Sequence, residues 1–298
     1  MSSSFKDRLF ECKSLAEARL GEIFSGYDDK EQALVLDAMK YSVLNGGKRI
    51  RAFLVMETAR SLGCSDDKSV DIACSVEMVH AYSLIHDDMP CMDNDDFRRG
   101  LPSCHKKFGE GIACLAGDGL QTMAFENLSS QRVVDNFGFE KALKFVRILS
   151  NGIGEYGMLG GQTIDINGEG RQLSQKVHME MVSMKTAALL AASVSLGAVC
   201  AGREDLIAAL TEFSENLGIA FQIKDDILDV IGNEEDLGKK VGKDASLGKN
   251  TFPQLYGLEK AQEMCNLYHK KAIDGLKMID FDSEVLLEAA NYLAHRNY

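Results

Sequence analysis

The chain has 298 residues, of which 45% are hydrophobic, and its formal net charge at pH 7 is −12. This hydrophobic content can build one large core, and no repeat or Pro/Ser-rich linker divides the sequence, so we expect a single domain over residues 1–298. The acidic balance argues against nucleic acid as a partner, because a phosphate-backbone binder usually carries a basic face. An anionic substrate would need local cations to overcome the overall field.

Cysteine usage and the N-terminus favour the cytoplasm. The eight cysteines form no CxxC pair, and several lie inside apolar helical patterns, where cysteine is usually a small core residue. The first residues, MSSSFKDRLFECK, contain acidic side chains and no apolar signal core. The longest uncharged apolar run, residues 187–201, is too short for a bilayer. We therefore expect a soluble protein without a membrane span.

Helical patterns run through nearly the whole chain. The first is predicted to begin at a cap residue, Asp28 or Asp29, and to end at the pair Gly46-Gly47. Further helices are predicted at 51–62, 68–89, 112–130, 138–166, 175–201, 203–232, 255–278 and 283–295. Because no segment shows sustained strand alternation, the prediction is an all-α, single-domain helical bundle around a deep central cavity.

Two aspartate clusters end apolar helical patterns. In the second cluster, Asp225, Asp226 and Asp229, the first and last members are four residues apart and share a helix face. In the first cluster, Asp87, Asp88 and Asp93, a straight helix would separate the outer members. Pro90 should bend the chain between them and could return Asp93 towards Asp87.

These clusters predict a metal site. A solvated acidic face is the ordinary reading of an Asp pair, but here apolar helix surfaces lead directly into both clusters, so the carboxylates need partners. The EF-hand pattern of a calcium loop is missing. A di-iron bundle would need two Glu-x-x-His pairs, and only Glu77 to His80 is present. Magnesium, which shares its coordination shell with substrate phosphates, fits best.

Basic residues supply the local cations that an anionic substrate requires. Lys48 and Arg51 follow a glycine turn at helical spacing, and Lys185 and Thr186 interrupt an apolar run. Other candidates lie in the irregular stretches after each aspartate cluster: Arg98, Arg99, Lys239, Lys240, Lys243 and Lys249. Any one of them could be ordinary surface charge, but together they suit an anionic substrate.

The ordered motifs resemble those of short-chain trans-polyprenyl diphosphate synthases. They include GGKRIRAFL, HAYSLIHDDMPCMDNDDFRRGLPSCHKKFGE, LAGDGL, GMLGGQTIDI, MVSMKTAAL, FQIKDDILDVIGN and KNTFP, and the ending YLAHRNY is similar to the family's C-terminus. Several such motifs in order are far more specific than one DDxxD. The segment HAYSLIHDD is most like bacterial farnesyl diphosphate synthases. The resemblance implies a homodimeric prenyltransferase with small-molecule diphosphate substrates.

The resemblance also implies roles for individual residues. About three Mg²⁺ would be held by the two clusters, two at Asp87, Asp88 and Asp93 and one at Asp225, Asp226 and Asp229. The allylic diphosphate would be bound by Arg98, Lys185 and Lys239, and isopentenyl diphosphate by Lys48, Arg51, His80 and Arg99. Lys249 would be a further substrate-binding residue. Thr186 and Gln222 would line the reaction centre, and Gln162 would support it. His105 is interpreted as structural.

Three positions depart from the family pattern. Ala52 stands where the family usually has Pro, Ser103 where Thr is common, and Lys240 where Pro is frequent. None of these departures removes a predicted ligand.

Three rival functions remain. A geranylgeranyl diphosphate synthase of the same family is the first. A class I terpene cyclase would usually replace the second aspartate cluster, and a non-catalytic partner subunit should have lost one cluster.

Helix geometry suggests which residue limits product length. Tyr82 lies five residues before Asp87, about 7.5 Å along the axis and about 140° around it. Ser83 is closer to the line directly beneath Asp87. We predict that the Tyr82 ring forms the floor of the cavity, which makes farnesyl diphosphate the main product.

Overall fold

The computed structural model describes residues 4–25, 33–231 and 249–296. Most of them lie in α-helices: α1 Phe5–Ile23, α2 Ala33–Leu44, α3 Ile50–Ser61, α4 Asp66–Asp87, α5 Cys104–Phe108, α6 Glu110–Leu128, α7 Gln131–Ile153, α8 Met158–Gly168, α9 Gln175–Val182, α10 Ala188–Ala201, α11 Ile207–Ile231, α12 Phe252–Tyr256, α13 Leu258–Lys277 and α14 Glu284–His295. A two-residue antiparallel ladder joins β1, Phe97–Arg98, to β2, Leu101–Pro102. The all-α prediction is therefore confirmed.

The centre of the bundle is built from helices that are apolar on nearly every side. In α10, residues 189–200 are all buried, and α3 and α4 pack around it. A helix that is hydrophobic all round belongs inside a protein, and burial of its side chains supplies most of its stability. A smaller cluster of buried apolar residues lies behind the second aspartate cluster, where α11 packs on α12 and α13.

One helical stretch passes the length and composition test for a membrane span. Gln175–Ala201 forms 27 continuous helical residues, but 78% of its most apolar window is buried inside the protein. The expectation that the uncharged run 187–201 is too short for a bilayer concerned only part of this helix. Its burial is what marks it as a core helix.

Helix α1 was not predicted from the sequence pattern. It is capped by Ser4, whose hydroxyl accepts a hydrogen bond from the Asp7 amide. Its buried Arg8 binds Glu57 of α3 and Asp66 of α4. These contacts come from residues far away in the sequence, so the local pattern of α1 could not reveal them.

Several predicted boundaries are wrong. The helix predicted at 138–166 is two helices, because the chain breaks after Ile153 and restarts at Met158. The first of the two, α7, begins earlier than predicted, at Gln131, and bends at Gly138, where φ is +79°. The helix predicted at 68–89 ends at Asp87. The predicted cap at Asp28 or Asp29 lies outside the described residues.

Candidate active site

The first aspartate cluster lies in the turn where α4 ends. The Asp93 amide donates to the Asp87 carbonyl at 2.8 Å, so the bend expected from Pro90 does return Asp93 to Asp87. Asp88 is buried and accepts hydrogen bonds from the Arg98 guanidinium, with Nε 3.0 Å from Oδ1. The first cluster is therefore paired directly with Arg98.

The surroundings of Asp87 destabilise its charged form. Burial raises its pKa to about 6, and the neighbouring Asp93 adds to the effect while Lys185 opposes it. Gln162 Nε2 donates to Asp87 Oδ1 at 2.9 Å, which is the support predicted for Gln162. A buried carboxylate of this kind is stabilised by a cation.

The second cluster lies near the end of α11. Asp226 and Asp229 are buried, whereas the Asp225 side chain is 43% exposed. Asp226 accepts hydrogen bonds from Gln222 Nε2 at 2.8 Å and from the Phe252 amide at 3.0 Å. These two bonds fix the direction of the Asp226 carboxylate.

A pocket with about 640 Å³ of empty space, part of it open to solvent, adjoins the second cluster. Among its lining residues are Lys185, Thr186, Gln222, Asp226 and Lys249. Lys249 reaches across to the first cluster, with Nζ 2.7 Å from Asp93 Oδ1, and Thr186 Oγ1 donates to Gln222 Oε1 at 2.8 Å. Lys185, Thr186, Gln222 and Lys249 are therefore gathered around one space, whereas Arg98 lies at the first cluster and Lys239 lies outside the described residues.

A π-helical turn presents Lys185 and Thr186 to this cavity. It covers residues Ser183–Ala187, between α9 and α10. A Cβ at Gly161 would lie 2.2 Å from the Lys185 amide nitrogen, so only glycine lets α8 approach the turn this closely. Lys185 Nζ binds Asp165 Oδ2 at 2.5 Å. Such turns are frequent at functional sites, and the sequence pattern predicted an uninterrupted helix here.

The β-hairpin sends two consecutive arginines to different places. Its turn residues, Arg99 and Gly100, both have positive φ, as a type I′ turn requires. Arg98 binds Asp88 of the first cluster, whereas Arg99 Nη1 donates to the Gly46 carbonyl at 2.6 Å. The hairpin therefore places Arg98 at the first aspartate cluster and Arg99 at the turn before α3.

A second positive region surrounds His80, and one of its members, Arg51, lies close enough to Asp225 to be affected by that carboxylate. Burial lowers the pKa of His80 well below its ordinary value, and the charges of Arg51 and Arg99 lower it further. Burial also lowers the pKa of Arg51. Lys48 lies at the exposed edge, with Nζ 5.7 Å from the centre of the Tyr292 ring. Three of the four predicted ligands of isopentenyl diphosphate, Arg51, His80 and Arg99, thus lie close together.

Residues that the sequence analysis missed hold this region in place. Arg49 is buried with φ +54° and binds Glu77, whose other oxygen accepts the Ala52 amide at 2.9 Å. Proline at position 52 could not donate this bond, so the departure at Ala52 matches its surroundings. Glu77 was considered only as an iron ligand, and no sequence signal paired it with Arg49.

Other predicted positions stand as follows. Ser103 precedes α5 and lies 3.1 Å from His105 Nδ1, so both belong to the local structure of that turn. Tyr82 is buried with its ring edge against His86, and Ser83 donates to the His80 carbonyl. Neither Tyr82 nor Ser83 lines the 640 Å³ cavity. Lys239, Lys240 and Lys243 lie outside the described residues.

The residues present fit magnesium. Across the described ranges, no three Asp, Glu, His or Cys side chains form a ready-made metal cage. Instead, the clustered carboxylates are dispersed: Asp226 lines the pocket, Asp225 is partly exposed, and Asp87 is destabilised by burial. Magnesium is usually held in this way, by one or two carboxylates completed by water and substrate phosphates.

An all-helical bundle with two carboxylate clusters and a pocket beside one of them defines a class of metal-assisted diphosphate enzymes. The family model for polyprenyl synthetase matches residues 32–279, and the chain belongs to this family. It is 40% identical to farnesyl diphosphate synthase from Haemophilus influenzae, with 94% of this chain and 95% of that protein covered. It is 43% identical to the large subunit 1 of a chloroplastic heterodimeric geranylgeranyl pyrophosphate synthase from Arabidopsis thaliana, with 90% and 73% covered.

Solved structures agree with this assignment. An apo FPP/GFPP synthase from Zymomonas mobilis superposes with a TM-score of 0.86 at 32% identity, covering 97% of this chain and 98% of that one. A geranyltransferase from Helicobacter pylori, complexed with magnesium and isoprenyl diphosphate, gives a TM-score of 0.85 at 33% identity, covering 98% and 97%. The predicted family and fold are confirmed.

Proposed function

We propose that the chain is a Mg²⁺-dependent trans-prenyltransferase that joins isopentenyl diphosphate to dimethylallyl and geranyl diphosphates, with farnesyl diphosphate as its main product. One observation carries the proposal: the cations form two groups, one in which Arg98 and Lys249 bind aspartates of the first cluster directly and one in which Arg51 and Arg99 surround His80. A reaction between one diphosphate that must ionise and one that must stay intact needs this division.

The first group serves ionisation. Breaking the allylic C–O bond leaves a diphosphate with about three negative charges, which Arg98, Lys185 and Lys249 stabilise. The proposed metal ligands are the six clustered aspartates, and Mg²⁺ bound there would act as a Lewis acid on the leaving group. The oxygens of Thr186 and Gln222 are placed to stabilise positive charge on the reacting carbon.

The second group holds isopentenyl diphosphate without promoting its cleavage. Lys48, Arg51 and Arg99 bind the diphosphate, and neutral His80 contributes a hydrogen bond. The π electrons of the bound isopentenyl group form the new C–C bond to the allylic carbon. The proton then lost from the resulting tertiary cation passes to the departed diphosphate, which restores a neutral hydrocarbon chain with a new double bond.

We also infer a soluble, cytoplasmic homodimer in which the whole chain forms one domain. Exposed apolar side chains on α6 and α7, among them Leu115, Phe139 and Leu143, offer surface that a second copy could cover. Sedimentation velocity of the full chain tests this point. A monomer at micromolar concentration contradicts it.

The rivals make different products. A geranylgeranyl synthase would release mainly twenty-carbon product, a terpene cyclase would consume no isopentenyl diphosphate, and a partner subunit would be inactive alone. The presence of both aspartate clusters favours the synthase over the last two.

Product chromatography tests the proposal directly. Purified chain supplied with dimethylallyl and isopentenyl diphosphates should make mainly fifteen-carbon product, and excess chelator should abolish the reaction until Mg²⁺ is restored. Asp87→Ala should lower turnover at least about 100-fold with helix content unchanged, because it removes charge stabilisation from the transition state. Full turnover in excess chelator contradicts the mechanism.

A further inference from the structure

The last described residue of the chain binds the second aspartate cluster. Arg296 follows α14, and its Nη2 lies 2.5 Å from Asp225 Oδ1. Its Nη1 donates to the Leu293 carbonyl at 2.8 Å, and the guanidinium carbon lies 3.9 Å from the centre of the Phe221 ring. The Arg296 side chain is only 5% exposed. Arg296 is therefore held by an ion pair, a hydrogen bond and a contact with an aromatic ring.

The arrangement conflicts with metal binding at the same carboxylate. Asp225 is a proposed metal ligand, yet it already faces the positive charge of Arg296 and lies near Arg51 as well. A divalent ion about 6 Å from one guanidinium, with water access, loses affinity on the order of tenfold. Asp225 is 43% exposed, so a metal can reach it, but the metal meets repulsion there.

We propose that Arg296 is the counter-cation of Asp225 and keeps this metal position weak until a diphosphate is bound. The proposal rests on the proposed function. Negative charge brought by the diphosphate offsets the arginine, so metal at Asp225 becomes favourable only with substrate present. Arg296 acts through Asp225 and is a positioning residue, not a catalytic one. Metal at Asp87 and Asp93 has no such restriction from Arg296.

Binding of Mn²⁺ without any diphosphate tests the proposal, with the unbound ion followed by electron paramagnetic resonance. Arg296→Gln should gain about tenfold in Mn²⁺ affinity at one site, because the repulsive charge is gone. Arg296→Lys, which keeps a positive charge, should resemble wild type. Adding Asp225→Asn to Arg296→Gln should remove the gain. Arg203→Gln is the matched control, since Arg203 binds Asp205 elsewhere on the surface.

Unchanged or weaker Mn²⁺ affinity in Arg296→Gln overturns the proposal, as does a gain that survives Asp225→Asn. If Arg296→Gln loses helix content, Arg296→Met replaces it, because the aliphatic chain keeps its packing on Phe221. Saturating inorganic diphosphate should reduce the difference between wild type and Arg296→Gln to less than about threefold, since the added charge compensates the arginine. If the tenfold difference in Mn²⁺ affinity persists with diphosphate bound, the diphosphate does not offset the charge of Arg296, and the proposal is wrong. Prenyl transfer by wild type is measured separately, so failure of the proposed function is distinguishable.

Discussion

His80 is held neutral by its surroundings. Burial and the charges of Arg51 and Arg99 all lower its pKa, so the free protein carries an unprotonated His80 at pH 7. A bound diphosphate acts in the opposite direction, because its negative charge favours the imidazolium. Binding of isopentenyl diphosphate should therefore raise the pKa of His80 and take up protons, increasingly so as the pH falls below 7.

Calorimetric titrations in buffers of different ionisation enthalpy measure this uptake. Wild type should bind more protons per isopentenyl diphosphate than His80→Gln does, by a difference of up to one proton. The comparison with the variant removes protons that come from the ligand itself. His269→Gln is the control, because His269 binds Asn291 on the surface. Equal uptake in wild type and His80→Gln would show that His80 does not face the diphosphate.

Tyr82 provides the second prediction at this scale. The ring is buried one helical turn and a half before Asp87, and burial followed by the Asp87 charge raises its pKa to about 12. Tyr82→Ala opens space beside the point where an allylic diphosphate would be anchored. The product should shift from fifteen to twenty carbons or more while Mg²⁺ dependence is kept. Product chromatography measures the shift, and Ser83→Ala should leave the distribution unchanged. An unaltered distribution of product lengths in Tyr82→Ala would mean that another residue forms the floor of the cavity.

Single residues were predictable from the sequence only where a motif carried them. The motif resemblance implied that Lys48, Arg51, His80 and Arg99 act together, and in the structure Arg51 and Arg99 lie near His80. The sequence could not show that Glu77 holds Arg49 and the Ala52 amide, or that Arg296 binds Asp225. Each of these contacts joins helices that are distant in sequence, and no local periodicity reports such a pairing.

The sequence predicted the turn between α2 and α3 but not its contact with Arg99. Gly46 and Gly47 both have positive φ. A Cβ at Gly47 would lie 2.8 Å from the guanidinium carbon of Arg99, whereas a Cβ at Gly46 would meet nothing within 4 Å. The glycine pair was interpreted as a helix stop. In the structure, it is also the surface on which Arg99 rests.

These two glycines form a matched pair for experiment. Gly47→Ala should push Arg99 away and raise the KM for isopentenyl diphosphate about tenfold or more, with kcat affected less. Gly46→Ala adds backbone strain of about 1 kcal/mol without this clash, so its KM should stay within about threefold of wild type. Steady-state kinetics with varied isopentenyl diphosphate separate the two. Similar KM values for both variants would mean that strain, not the displacement of Arg99, is responsible.

Helices were predictable where burial imposes a strong pattern. Helices α3 and α4 are buried over most of their length and were placed to within a few residues, and the two ends of the helical run 175–201 were also predicted. Helix α1 was missed because buried ion pairs with α3 and α4 fix it, such as Arg8 with Glu57. The break between α7 and α8 and the π-helical turn at Lys185 were missed for a related reason. Close approach of backbones, as at Gly161, shapes the turn, and this is a property of the packed bundle.

At the scale of the molecule, the net charge of −12 opposes every anionic substrate. The sequence therefore required local cations, and the structure concentrates them in two regions that face different carboxylate surroundings. The clusters themselves lie on α4 and α11, helices from different parts of the chain. Burial and the neighbouring Asp93 destabilise the charged form of Asp87, so the ligand-free bundle should be less stable than one that holds a cation there.

Thermal unfolding measures this stabilisation. A ligand that binds only the folded state at 100 times its Kd adds about 2.7 kcal/mol, which corresponds to a rise of about 5 °C in Tm for a chain of this size. We expect such a rise when Mg²⁺ and inorganic diphosphate are added together, and a smaller one with Mg²⁺ alone, because diphosphate oxygens complete the metal shell. Asp87→Asn should lose most of the combined effect, while Asp118→Asn, an exposed residue on α6, should keep it. A full rise with diphosphate alone, in excess chelator, would mean that the cations of the site bind diphosphate without metal and that the clusters have another role.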